Sequence, residues 1–239
     1  MAAHIGTSGW AYKEWKPDFY PQDLPQRLFL QHYSSVLTGC EINATFYRLQ
    51  AESTVSRWAE ETPEDFRFAA KMHRRLTHGR DLAEDESWFA FLDQFMAQLE
   101  PLEDRLGALL VQFPPTRQRD DAALARLLNA LPDGMPHAVE FRHESWFDPA
   151  VTERVTKAGT VCFADTTGAV PASLPPGPLA YVRLRGEHYD DDQREGWHRL
   201  IGREAESRPV LVFAKHEGVP AGDPRCGVGL AQWLLSPSP

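Results

Sequence analysis

Ala108-Leu109-Leu110-Val111-Gln112-Phe113, then Leu124, Leu127, Leu128 and Leu131, then Ala138-Val139-Glu140-Phe141 are the residues whose reading decides the fold. The first run is short and, apart from Gln112, apolar, which suits a strand buried on both faces. The four leucines that follow are spaced by three or four, the period of one helix face. The last run is again short and β-rich. A strand, a helix and a strand in that order read as a βαβ unit, in which the crossover makes the two strands parallel.

The same alternation continues in both directions. Upstream, strands are expected at His4-Ile5-Gly6-Thr7-Ser8, Cys40-Glu41-Ile42-Asn43 and Phe66-Arg67-Phe68-Ala69-Ala70. Downstream they are expected at Thr160-Val161-Cys162-Phe163-Ala164, Ala180-Tyr181-Val182-Arg183-Leu184 and Pro209-Val210-Leu211-Val212-Phe213. Helical spacing fills most of the gaps: Trp88, Phe91, Phe95 and Leu99; Val151 and Val155 behind an Asp148-Pro149 start; Trp197, Leu200 and Ile201; Leu230, Trp233 and Leu234. The stretch after Asp165 carries Pro171, Pro175, Pro176 and Pro178, so its helix should be irregular or very short. Eight β/α repeats predict an α/β protein of the (β/α)8 TIM-barrel class, with an irregular sixth β/α unit. Residues 1–235 would form a single barrel domain and 236–239 a disordered tail. An open doubly wound sheet is the alternative, but Gly6-Thr7-Ser8-Gly9 has the wrong spacing for a phosphate loop and Gly227-Val228-Gly229 comes too late.

The bulk numbers agree with that class. The chain has 239 residues, and such barrels run to about 250 residues with a lower limit near 200. Twenty-five Lys and Arg against 34 Asp and Glu give a net charge of −9, which argues against broad wrapping of nucleic acid. Cys40, Cys162 and Cys226 form no CxxC motif and lie mostly in apolar runs, so free buried thiols are expected. No leader pattern or membrane-length apolar run is seen, and a cytoplasmic location is expected.

A barrel strand should be nearly all apolar, and several here are not. Glu41, Asn43 and Thr45 alternate, as do Glu140 and Arg142, and Tyr181, Arg183 and Arg185. Period two puts each set on one strand face. The outer face meets helices, so these side chains should line the mouth at the C-terminal strand ends, where barrels of this kind carry their sites. Lys71, Gln112, His143, Asp165, Lys215, His216 and Glu217 fall at strand ends as well. An internal salt-bridge network, for example Glu41 or Glu140 with Arg142 or Arg183, is the plain structural account. Lys71, Arg142, Arg183, Arg185 and Lys215 make the mouth neutral to basic on an acidic chain, which favours an anionic ligand. Arg183, Arg185, Lys215 and His216 would form a phosphate corner. Trp10, Tyr12, Trp15, Phe46, Tyr47 and Trp146 cluster on the same rim by sequence. They read either as loop packing or as a stacking platform for a base or sugar ring.

These residues also carry a resemblance. Gly6-Thr7-Ser8-Gly9-Trp10 with Tyr12, Trp15 and Phe19-Tyr20-Pro21, and Glu41-Ile42-Asn43-Ala44-Thr45-Phe46-Tyr47-Arg48, resemble signatures of the YecE-like family, the domain of unknown function seventy-two. So do Phe68-Ala69-Ala70-Lys71 with Thr77-His78, Leu109 to Pro115, Val139 to Trp146, and Tyr181-Val182-Arg183-Leu184. The resemblance implies a TIM barrel and no particular activity. A distant likeness of such proteins to metal-dependent barrels such as endonuclease IV and xylose isomerase is fold analogy. The sequence departs from the family pattern at Arg185, where histidine is usual, and in Phe213-Ala214-Lys215-His216-Glu217.

Three functions are carried forward. The first is an enzyme, hydrolase- or lyase-type, acting on a phosphorylated or nucleotide-like ligand. Glu140 would be its base, Glu41 and Asp165 further carboxylates, and Lys71 the stabiliser of negative charge. Arg142, Arg183, Arg185, Lys215, His216, His143, Asn43, Gln112, Trp10, Tyr12, Tyr47 and Trp146 would bind the ligand. The second is a noncatalytic module for an anion or a single-stranded nucleic acid segment. The third is a metal-dependent hydrolase using Glu41, Glu140, Asp165, His143, His216 and Glu217, although no HExxH-like spacing supports it. No metal ligand set is assigned, and cofactor and oligomeric state are left open.

Overall fold

A computed structural model describes residues 2–79 and 81–236. Nine strands, all parallel to their neighbours, form one sheet: β1 (Ala3–Thr7), β2 (Gly39–Ile42), β3 (Arg67–Lys71), β4 (Leu106–Gln112), β5 (His137–Glu140), β6 (Thr160–Val161), β7 (Phe163–Asp165), β8 (Ala180–Leu184) and β9 (Val210–Ala214). The order is β6-β5-β4-β3-β2-β1-β9-β8-β7. The sheet therefore begins and ends on two strands that are consecutive in the chain, separated only by Cys162. The first half of this sixth strand pairs with β5 (Ala138↔Thr160) and the second with β8 (Phe163↔Val182). The Cys162 amide still donates to the Val139 carbonyl. The expected eight strands are thus present, with the sixth interrupted at Cys162. The barrel class is the one the alternation predicted.

Two packing layers follow from strand alternation. Helices such as Glu86–Ala97, Asp121–Ala130 and Asp191–Ala205 cover the outside. A separate inner cluster holds Ala69, Ala108, Leu110, Ala138, Cys162, Leu179, Tyr181, Leu211 and Phe213. Small residues on three adjacent strands, Ala69, Ala108 and Ala138, leave the space that Tyr181 and Phe213 fill from β8 and β9, their rings 5.4 Å apart. Large against small across the lumen is how a narrow barrel reaches native density.

Local capping fixes the helices. Asp85, Asp120 and Asp148 each cap a helix by accepting a backbone N–H, and Asp190 with Gln193 closes a capping box. No helix forms between β7 and β8, as the prolines predicted. Of the expected tail, residues 237–239 lie outside the described residues. No described helix is long and apolar enough to cross a membrane.

Two alternations do not hold as strand patterns. β2 stops at Ile42, and Ala44–Tyr47 is a helical turn. Thr45 is buried there with its hydroxyl donating to the carbonyls of Ile42 and Lys71, while Asn43 is half-exposed. β5 stops at Glu140, so Arg142 leaves the lumen for the rim, its side chain 42% exposed.

Candidate active site at the barrel mouth

β2, β5 and β8 deliver Glu41, Glu140 and Arg183 into the top of the lumen, where all three are buried. One guanidinium bridges both carboxylates: Nη2 donates to Glu41 Oε1 at 2.8 Å and Nη1 to Glu140 Oε2 at 2.6 Å. Glu41 also accepts from Ser8 Oγ at 2.9 Å and Tyr181 OH at 2.8 Å. Glu140 accepts from Gln112 Nε2 and from Arg142 Nε, each at 2.8 Å. Burial opposes ionisation of Glu140, but the guanidiniums of Arg183 and Arg142, with the hydrogen bonds from Arg142 and Gln112, overcome it and hold the carboxyl at about 2. A carboxylate that acidic, with both oxygens occupied, is a poor proton acceptor. The role of general base expected for Glu140 therefore does not suit its surroundings. Arg183, expected to hold a ligand anion, spends its charge on two carboxylates.

Lys71 differs. It ends β3 in the same layer, is 8% exposed, and its side-chain amine has no hydrogen-bond or ion-pair partner among the described residues. Its Nζ sits 4.0 Å from the ring centroid of Phe46. Burial, then the nearby Arg183, outweigh the pull of Glu41 and Glu140 and bring its ammonium down to about 8. Phe46 passes on to His78, with ring centroids 5.0 Å apart. His78, on the exposed rim, is held below the usual imidazole range by burial and by Lys71, Arg142, Arg117 and Arg74. Arg117 lies in the loop after β4. It is half-buried, donates to the Gly79 carbonyl, and keeps its Nε buried without a partner. Lys71 and Arg117, neither of them ion-paired among the described residues, thus lie over β3 and β4 near His78, which the sequence reading had not chosen.

The expected phosphate corner over β8 and β9 is internally paired. Arg185 lies 3.5 Å from Glu217, and Lys215 lies 3.5 Å from the exposed Glu187, a partner not foreseen. His216 stacks on Tyr12 at 4.0 Å, and Tyr12 OH donates to the Ser8 carbonyl. Asp165 is consumed by its own loop: it accepts from Thr167 N and Gly168 N, each at 3.0 Å, and from Tyr189 OH at 2.6 Å. It is an anchor for the turn after β7 and not a free carboxylate. Asp165→Ala strands a buried hydroxyl and a buried amide, and should cost roughly 2–4 kcal/mol in urea denaturation. A loss under about 1 kcal/mol would show that the loop does not depend on it.

The aromatic residues divide as well. Trp146 is core: it stacks on Phe141 at 4.7 Å and donates Nε1 to the Arg117 carbonyl. Trp10 packs edge-on against Trp58 at 5.4 Å, beside a cavity of about 530 Å3 that Asn43 and Tyr12 also line. Tyr47 and Phe147 project at the rim, 68% and 72% exposed. His143 caps the turn Glu144–Trp146 by accepting from Ser145 N. Among the described residues no three of His, Cys, Asp and Glu gather as a metal set. Each expected donor is tied to a cation, a loop or a ring. The larger cavity, about 730 Å3, opens at the opposite, N-terminal end among Leu128, Leu131, Met135 and Leu211. His4, Arg67, Asp104, Asp133, His137 and Lys157 line it as well, but the buried cation Lys71 lies at the other end, where barrels of this class carry their sites, so the mouth is the better candidate.

Comparison with known proteins bears on the fold and the lineage. The family model described as "Protein of unknown function DUF72" matches residues 4–223. The chain is 32% identical over 156 residues to the UPF0759 protein YunF of Bacillus subtilis, covering 63% of this chain and 54% of that protein. It is 28% identical over 196 residues to the UPF0759 protein YecE of Escherichia coli K12, covering 80% of this chain and 66% of that one. The chain spans between about half and two thirds of the length of these curated relatives. The crystal structure of a DUF72 family protein from Thermotoga maritima superposes with a TM-score of 0.75 at 22% identity, covering 98% of this chain and 97% of that one. That likeness shows the shared fold.

Proposed function

The chain belongs to the DUF72 family, and from that premise we propose that it is an enzyme taking a small anionic substrate at the C-terminal barrel mouth, with Lys71 as its proton-transferring group. One observation carries the reading: Lys71 is a buried cation without a counter-ion in a layer where every carboxylate is already engaged. Glu41, Glu140, Arg183 and Arg142 sum to zero charge, so protonated Lys71 is an uncompensated positive charge in a poorly solvated place. A phosphate or carboxylate brought beside it, within reach of Arg142, Arg117 and His78, would supply the missing anion. Glu140 and Glu41 then act as fixed negative charges that orient Arg183 and Arg142. An amine near 8 is also better matched to proton transfer at neutral pH than a carboxyl near 2. The exposed rings of Tyr47 and Phe147 favour a second reading, a base or sugar stacked above the anion, and with it a noncatalytic nucleotide-binding module. A cytoplasmic location belongs to the same proposal, supported by three free cysteines.

The test is calorimetric titration of sulfate, phosphate and mononucleotides into the wild type, Lys71→Met and Arg185→Ala. Wild type and Arg185→Ala should bind alike, and Lys71→Met should lose at least about tenfold in affinity, one charged hydrogen bond being worth roughly 1.5–3 kcal/mol. No binding at millimolar anion by the wild type, or full binding by Lys71→Met, would reject the site. Loss confined to Arg185→Ala would move it to the corner over β8 and β9.

A further inference from the structure

The chemistry of Lys71 reaches beyond proton transfer. We infer that Lys71 is a nucleophile that condenses with the carbonyl group of an aldehyde or ketone substrate to form an imine. The inference rests on the mouth being the substrate site. It adds that the substrate class is a small carbonyl compound, its anionic group held by Arg142 and the neighbouring cations.

Three observations support it. Of the five lysines in the sequence, all of them described, Lys71 alone is buried. Lys16 donates to the carbonyls of Gln22 and Leu24, Lys215 pairs with Glu187, and Lys13 and Lys157 are exposed. Second, the network that could neutralise Lys71 is closed on itself: Arg183 occupies an oxygen of each carboxylate, and Ser8, Tyr181, Gln112 and Arg142 complete the sets. The amine is therefore free to take a new bond. Third, its neighbour is the face of Phe46 and not a hydrogen-bond acceptor. Burial and the nearby Arg183, not the ring, lower the basicity of the group, and the ring helps exclude water that would reverse an imine.

The step balances without a cofactor. The nitrogen lone pair of Lys71 adds to the carbonyl carbon, and one amine proton passes to the oxygen, giving a carbinolamine. That hydroxyl takes a proton from solvent and leaves as water while the nitrogen lone pair forms the C=N bond. The product is an iminium ion, whose positive charge Glu41 and Glu140 favour as they favour the ammonium. An electron sink at that position would serve aldol-type cleavage or condensation, or proton abstraction beside the carbonyl.

Reductive trapping tests it. The full chain is incubated with glyceraldehyde 3-phosphate, dihydroxyacetone phosphate, pyruvate or uncharged glyceraldehyde, each with sodium cyanoborohydride, and read by intact mass and peptide mapping. One adduct is expected, adding the mass of the carbonyl compound less one oxygen atom, on the Lys71 peptide. It should form at least about tenfold faster than on Lys13 or Lys157, because more of the amine is neutral. Its rate should rise with pH to a plateau above about 8. Lys71→Met should lose the adduct, and mapping on the wild type gives the answer even if that variant folds poorly. Adducts spread over Lys13, Lys16, Lys157 and Lys215, unchanged by Lys71→Met, would overturn the inference. If phosphate still binds by calorimetry while no carbonyl compound traps at Lys71, the imine fails and the anion site stands. If uncharged glyceraldehyde traps there as well as its phosphate, the imine stands and the anion site fails.

Discussion

Replacing Arg183 with methionine should destabilise the barrel by about 3–5 kcal/mol, seen as a lower urea midpoint at neutral pH. The substitution keeps an unbranched apolar stem but removes the one cation that Glu41 and Glu140 share at 2.8 and 2.6 Å. Glu41 is left with two neutral donors, Ser8 and Tyr181, and Glu140 with Gln112 and a half-exposed Arg142. Acid should change the size of the effect. In the wild type the folded Glu140 carboxyl is held at about 2, below its ordinary 4.5. Its contribution is therefore fully present above about 4.5 and lost as pH falls towards 2. Without Arg183 that carboxyl moves up, so the variant should lose less on acidification and the two stability curves should converge. Adding Glu41→Gln and Glu140→Gln to Arg183→Met should recover most of the loss, because no buried carboxylate then lacks its cation. A single variant as stable as the wild type would mean that water reaches these carboxylates.

Lys71→Met should act in the opposite direction, stabilising the fold by roughly 1–3 kcal/mol at pH 7. The folded amine lies at about 8 against an ordinary 10.5. Below about 8 both states are protonated and the folded one carries the full burial penalty. Between about 8 and 10.5 the unfolded chain holds the extra proton, so wild-type stability rises with pH; above that the penalty is gone. The gain from methionine should therefore be largest at pH 7 and small at pH 10.5. A residue that weakens its own fold yet should carry ligand binding is the pattern of a functional site. Equal stability of both proteins across that range would show Lys71 to be solvated and ordinary.

The period-two signal carried the network because it is a property of the strand itself. Tyr181 and Arg183 lie on β8 two residues apart, and both reach into the lumen to Glu41. Glu140, ending β5, meets Arg183 across the barrel, and the barrel class implied such a meeting. The same reasoning failed where a strand stopped early. Asn43 and Arg142 continue the alternation on paper, but β2 and β5 end before them, and strand ends depend on tertiary pairing that the local sequence does not state. Loop geometry was equally hidden. That Asp165 turns back to Gly168 and Tyr189, that Glu187 reaches Lys215, and that Arg117 tucks against Gly79 all depend on the path of an irregular chain. The pairing of Glu41 and Glu140 with Arg183 and Arg142 was as expected, and the loop partners of Lys215 and Arg185 were not. Lys71 was legible as a strand-end cation, but its isolation appears only once every carboxylate of the layer is seen to be taken.

The divided sixth strand has a mechanical meaning. Eight ladders close the ring, and two of them, β5–β6 and β7–β8, meet on one strand interrupted at Cys162. A hoop joined this way has a clasp. Strand number and stagger set the girth of a closed barrel, so the two halves can shift against each other only as far as their own ladders allow. The strand diametrically opposite is β2, which carries Glu41 and leads into the turn bearing Phe46. The clasp thus faces, across the lumen, the strand that anchors one end of the bridge between Arg183 and its two carboxylates.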